Sequence, residues 1–198
     1  MKNLVSLMIP SRKRIESLLG VLENITNTAT GEDYQILMRF DEDDAESIER
    51  IMEIHRTFPR TQCFIGPRLE GYKSLDKDFL RELEERSNAT WVWIGGDDMV
   101  AEGDWLGELR KVPTTGYIVQ PAISKLGHST YPRAEAQAYP IFPRFCWKQY
   151  AKSFPVPFDV NGHILLKANG WKTWFLEGVT MWHKRPPESE IAEHRKMA

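Results

Sequence analysis

Two adjacent carboxylates, Asp97 and Asp98, follow two glycines and a run of strand-forming residues in the stretch WVWIGGDDMV, Trp91 to Val100. A carboxylate at the water-poor end of a buried strand is costly unless a cation or several donors meet it. The pair therefore asks for a cation, a metal ion above all. Gly-Asp-Asp is also ordinary turn chemistry, and that is the competing reading. A second group, Arg12, Lys13 and Arg14 in PSRKR, is a local basic patch of the kind that holds phosphates.

The elements that must position these groups are legible from apolar spacing. Leu4 to Ile9 reads as a strand, and Ile15, Leu18, Leu19, Leu22 and Ile25 repeat at helical spacing behind it. Tyr34 to Phe40 is a second strand. Ala45, Ile48, Ile51, Met52 and His55 form a second helical stripe, introduced by the acidic cluster Asp41 to Asp44 and ended by Pro59. Gln62 to Ile65 is a third strand, Leu75, Phe79 and Leu83 share a helix face, and Thr90 to Ile94 is a fourth strand. Strictly alternating strands and helices predict an α/β fold with a mostly parallel central sheet and a ligand site beyond the carboxyl ends of its strands. Pro10-Ser11-Arg12, Asp41, Gly66-Pro67-Arg68 and Gly96-Asp97-Asp98 all fall at such ends. After a short helix, Trp105 to Lys111, the pattern becomes aromatic and proline-rich up to Phe158 and reads as mixed sheet and loops. A last helix, Val160 to Asn169, stops at Gly170 and precedes strands Lys172 to Glu177 and Val179 to Trp182.

With 198 residues the chain can bury a full core, and its net charge of −2 gives no global reason to bind nucleic acid or anionic membrane. No window approaches a membrane span, and Leu4 to Ile9 is too short for a signal segment. The two cysteines, Cys63 and Cys146, lack metal-type spacing, so a reduced, cytoplasmic protein is expected and the sequons at Asn24 and Asn88 carry no sugar.

Four segments, in order, resemble the GT-A glycosyltransferases of the large inverting type that includes cellulose and chitin synthases and bacterial polysaccharide transferases. SLMIPSRKRIESLLGVLENI is similar to that family's first strand, basic turn and helix, and YQILMRFDEDD to its second strand with a base-contacting Asp. TWVWIGGDDMVAEGDWLGEL resembles the segment with the metal-binding Asp-x-Asp motif. FDVNGHILLKANGWKTWFLEGVTMWH resembles the tail with a catalytic carboxylate and a final metal-binding His. The likeness implies a single Rossmann-like α/β/α domain over 1–198, with a nucleotide-binding half at 1–111 and an acceptor-binding and catalytic half at 112–198. Gly96 stands where the motif has its first Asp, and a lone Asp159 stands where an acidic pair is usual.

The resemblance implies a metal-dependent, inverting transfer of a sugar from a nucleoside-diphosphate sugar, a UDP-sugar first, to an acceptor hydroxyl. Asp98 and His183 are then the ligands of Mn²⁺ or Mg²⁺, the imidazole favouring Mn²⁺. Asp97 faces the ribose or the backbone, Asp41 the uracil, although Asp41 to Asp44 also read as a solvated acidic cap on the second helix, and Pro10, Ser11, Arg12, Arg14, Arg68 and Tyr72, with Lys73, surround the nucleotide. Asp159 is the candidate base, although an Asp directly before a helix is also a good N-cap. His55, His128, His163 and His194 are read as packing or surface residues, and Trp91 and Trp93 as core. Trp105 and Trp147 are candidates to stack on a sugar or base.

The acceptor, whether a glycan, lipid-linked glycan, protein or modified nucleobase, leaves no mark in the sequence. Absent membrane helices argue against a polymer-extruding enzyme. A sugar nucleotidyltransferase would need a Gly-rich loop where PSRKR stands, and a non-catalytic nucleotide-binding module would explain Gly96 and the lone Asp159.

Overall fold

The computed structural model describes residues 3–68, 85–126, 129–132, 140–146 and 158–184. Its centre is set by three apolar strands: β1 (Val5–Pro10), β2 (Tyr34–Asp41) and β4 (Trp91–Ile94). Alternate side chains of a strand point to opposite faces. Val5, Leu7 and Ile9 accordingly enter one core with Ile36, Met38, Phe40, Trp91 and Trp93, while Met8, Leu37, Val92 and Ile94 enter a second. The strands run parallel with Leu7 opposite both Ile36 and Trp93, so the two faces are each continuous. β3 (Thr61–Gly66) extends this parallel block beside β2.

Helices cover both faces, as parallel strands apolar on both sides require. α1 (Ile15–Asn27) turns Ile15, Leu18, Val21, Leu22 and Ile25 into the first core. The second helical stripe is in fact two helices, α2 (Ala45–Glu49) and α3 (Ile51–Thr57). The N–H of Arg50 donates to the Ser47 carbonyl at 3.2 Å, a tight three-residue turn that shifts the helical phase. Ile54 is therefore the buried residue, and Met52, expected on the apolar face, is 71% exposed. The helix expected around Leu75, Phe79 and Leu83 lies outside the described residues.

Beyond β4 the sheet becomes mixed. β5 (Met99–Glu102), not foreseen in the sequence, is followed by α4 (Trp105–Leu109), β6 (Tyr117–Leu126), β7 (Ser129–Pro132), β8 (Ile141–Pro143), α5 (Phe158–Ala168) and β9 (Lys172–His183). The strand order is β3-β2-β1-β4-β8-β6-β9-β5, with β7 beside β6. β4 meets β8 antiparallel, whereas β6 and β9 run parallel. The two strands expected around Gly178 are one, and a register shift between Pro121 and Ile123 absorbs the irregularity as a bulge. α4 joins the first core and α5, through Leu166, the second, which completes three layers. No helix among the described residues is long and apolar enough to cross a membrane.

Candidate functional site

The rim at the carboxyl ends of β1, β2 and β4 is held together by charge. Ser11 Oγ donates to Asp97 Oδ2 at 3.0 Å, Arg14 Nη1 to Asp97 Oδ1 at 2.6 Å, and Ser17 Oγ to the Asp97 carbonyl at 2.6 Å. The turn after β1 thus grips the turn after β4. At Gly95 a Cβ would stand 2.7 Å from Sδ of the buried Met99, so the second turn packs closely over that methionine. Burial pushes the Asp97 carboxyl up to about 6, with the charge of Asp98 adding to the effect and Arg14 and the Ser11 hydroxyl opposing it.

Asp98 points elsewhere. Its Oδ2 lies 3.0 Å from His183 Nε2, a pairing across 85 positions. β5 creates that contact, because it pairs antiparallel with β9 and sets Met99 opposite His183. The Lys184 N–H then donates to the Asp98 carbonyl at 2.8 Å and carries the ladder one step further. Arg14 Nη1 stands 3.6 Å from the same Asp98 Oδ2, so one guanidinium nitrogen serves both carboxylates.

A second cluster surrounds Asp41. Arg39 Nη1 donates to its Oδ1 at 2.7 Å and Arg12 Nη1 to its Oδ2 at 2.9 Å. Arg12 also reaches Asp43 at 2.8 Å, and Asp44 accepts from the N–H of Lys13 and caps α2 at the Ser47 N–H. The acidic run is therefore more than a solvated cap: it clamps the basic turn, where Lys13 adopts a φ of +52°. Arg39 escaped the sequence reading, although an arginine inside a buried strand was a visible signal. Its Nη2 donates to the Pro67 carbonyl at 2.5 Å, and a Cβ at Gly66 would stand 2.5 Å from that nitrogen. The turn after β3 thereby joins the rim. Pro10 ends β1 and Arg68 stands exposed past β3, while Tyr72 and Lys73 lie outside the described residues.

Asp159 lies within α5, the second helical residue rather than the residue before the helix, so the expected N-cap is corrected by two positions. His163, one turn on, is 1% exposed and holds α5 to two strands: the Gln120 amide nitrogen is 2.6 Å from its Nδ1, and Thr173 Oγ1 is 3.1 Å from its Nε2. Trp105 is no stacking platform. It is fully buried, 5.0 Å from Trp93 and 5.6 Å from Tyr34 between ring centroids, and its Nε1 donates to the Ile25 carbonyl. Trp91 and Trp93 are core as expected, and Trp147, His128 and His194 lie outside the described residues.

No protein-family model and no curated protein matches the sequence. Solved structures do match. A mannosyltransferase from Pyrobaculum calidifontis, in complex with GDP-Man and Mn²⁺, superposes with a TM-score of 0.67 over 98% of this chain at 14% identity. S. aureus TarS gives 0.67 over 98% at 10% identity, and GalNAc-T7 with UDP, GalNAc and Mn²⁺ gives 0.66 over 93% at 10%. The fold is that of the GT-A glycosyltransferases. The chain spans 60% of the mannosyltransferase, 39% of TarS and 44% of GalNAc-T7.

Asp98 Oδ2 and His183 Nε2 are in direct hydrogen-bond contact at 3.0 Å, a carboxylate and an imidazole of the types that could also turn to a divalent ion. No cluster of three or more Asp, Glu, His or Cys side chains able to hold an ion occurs among the described residues.

Proposed function

We propose that this chain transfers a sugar from a nucleoside-diphosphate sugar, a UDP-sugar in the first instance, to an acceptor hydroxyl with inversion of configuration. The observation that carries the reading is the convergence of Asp98, His183 and Arg14 at one carboxylate oxygen beyond β4 of a GT-A sheet. Asp98 and His183 would hold Mn²⁺ or Mg²⁺, which when bound neutralises charge developing on the diphosphate leaving group. Arg14 and Arg12, on the turn after β1, would offer guanidinium donors to the phosphates, with Ser11 and Arg68 as further nucleotide contacts. Asp97 and Asp41 hold those arginines through charge-assisted bonds, and under this reading they would also meet ribose and base. Asp159, at the start of α5, would accept the proton of the attacking hydroxyl, since a single displacement needs one positioned base. The acceptor is a saccharide, lipid-linked glycan, protein or modified nucleobase.

Calorimetric titration of UDP, GDP and CMP, with and without Mn²⁺, tests the donor site. One nucleotide is expected to bind only with the ion, and Asp98→Ala to weaken that binding at least about tenfold, the loss of one charged ligand. Failure of all three nucleotides to bind would overturn the reading. Once a donor and acceptor are found, Asp159→Asn should stop transfer while leaving nucleotide affinity intact.

A further inference from the structure

Arg14 is placed where a second cation would have to compete with it. Its Nη1 is 2.6 Å from Asp97 Oδ1 and 3.6 Å from Asp98 Oδ2, and Oδ2 is the oxygen that faces His183. An ion held by Asp98 at about 2.1 Å would therefore lie within about 6 Å of a guanidinium nitrogen. At that distance like charges repel appreciably even under the screening of a protein rim. The arginine is also well anchored: its side chain is mostly buried, and its partner Asp97 is held in turn by the Ser11 hydroxyl.

We infer that Arg14 is a resident cation that keeps the bare Asp98–His183 pair a poor metal site, so that the divalent ion enters together with the diphosphate. This rests on the donor-site reading above and adds to it the order of events. Arg14 offsets part of the negative charge of Asp97 and Asp98 and so weakens their pull on a dication. An arriving diphosphate supplies negative charge that offsets the repulsion between guanidinium and ion, and oxygen ligands for the ion. Ion and nucleotide then bind with positive coupling, each raising the affinity for the other by the same factor.

The test is Mn²⁺ binding, followed by the electron paramagnetic resonance signal of the free ion near neutral pH, with protein alone and with UDP or GDP. It is run on the wild type and on Arg14→Gln and Arg14→Met, two replacements that differ in polarity so that one poorly folded variant does not void the result. The wild type should bind Mn²⁺ weakly alone and far more tightly with nucleotide. The charge-free variants should bind Mn²⁺ alone at least about tenfold more tightly than the wild type, with the coupling reduced in proportion. Equal affinity of wild type and variants for Mn²⁺ alone would overturn the role of Arg14 and leave the donor site standing. Absence of nucleotide-dependent Mn²⁺ uptake in every protein would overturn the donor-site reading, and this inference with it.

Discussion

Asp97 accepts two side-chain hydrogen bonds, yet its carboxyl is pushed up to about 6 because burial removes the water that would solvate its charge. The sign of the consequence follows by linkage. Between the ordinary value of 3.8 and about 6 the folded chain binds a proton that the unfolded chain has lost, so stability falls as pH rises through that window. Asn at this position does not titrate. Denaturant unfolding of the wild type and Asp97→Asn should therefore show the variant gaining on the wild type as pH rises, by up to about 3 kcal/mol. A gap that is flat or narrows with rising pH would contradict the burial argument. Residue identity pointed to Asp97 and Asp98 as polar groups needing partners, whereas His183 was singled out only by the family resemblance of the tail. That Asp41 sits between Arg12 and a buried Arg39 was not legible, since strand pairing rather than sequence proximity places the turn after β1 beside β2.

At the scale of elements, strong periodicity was read well and interruptions were not. The runs that became β1, β2 and β4 are mostly apolar and α1 repeats apolar residues at helical spacing, whereas the break between α2 and α3 depends on one tight turn at Arg50. Trp105 shows the same limit: a tryptophan near an irregular region reads equally as platform or core, and only its contact with Trp93 and Tyr34 decides. Trp105→Ala should cost about 3–5 kcal/mol in chemical unfolding, through the cavity it leaves. Nucleotide binding of the folded fraction should be unchanged, whereas a stacking role would predict the reverse pattern. β5 was missed because four residues behind a turn carry too little pattern, yet that strand brings His183 to Asp98.

For the whole molecule, the two faces of the parallel block determine where opening begins. β1 lies between β2 and β4 and is buried along Val5 to Ile9, while β3 pairs with β2 and leaves Gln62 and Ile65 exposed. Native-state hydrogen exchange should find the Leu7 to Ile9 amides exchanging only through global unfolding, and those of β3 through smaller local openings. Equal protection of β1 and β3 would show that the sheet opens as one unit.

Taken by itself, the sequence determined the alternating order of strands and helices and the chemistry waiting at the strand ends, because apolar period and turn composition are local properties. The tertiary structure alone decided which of those ends meet. Arg14 shared between Asp97 and Asp98 ties the turn after β1 to the turn after β4, and Asp98 paired with His183 ties that turn to β9, across strands whose order in the sheet differs from their order in the chain. Such contacts arise from packing long-range strands in register, and no local pattern encodes that register until both cores are filled.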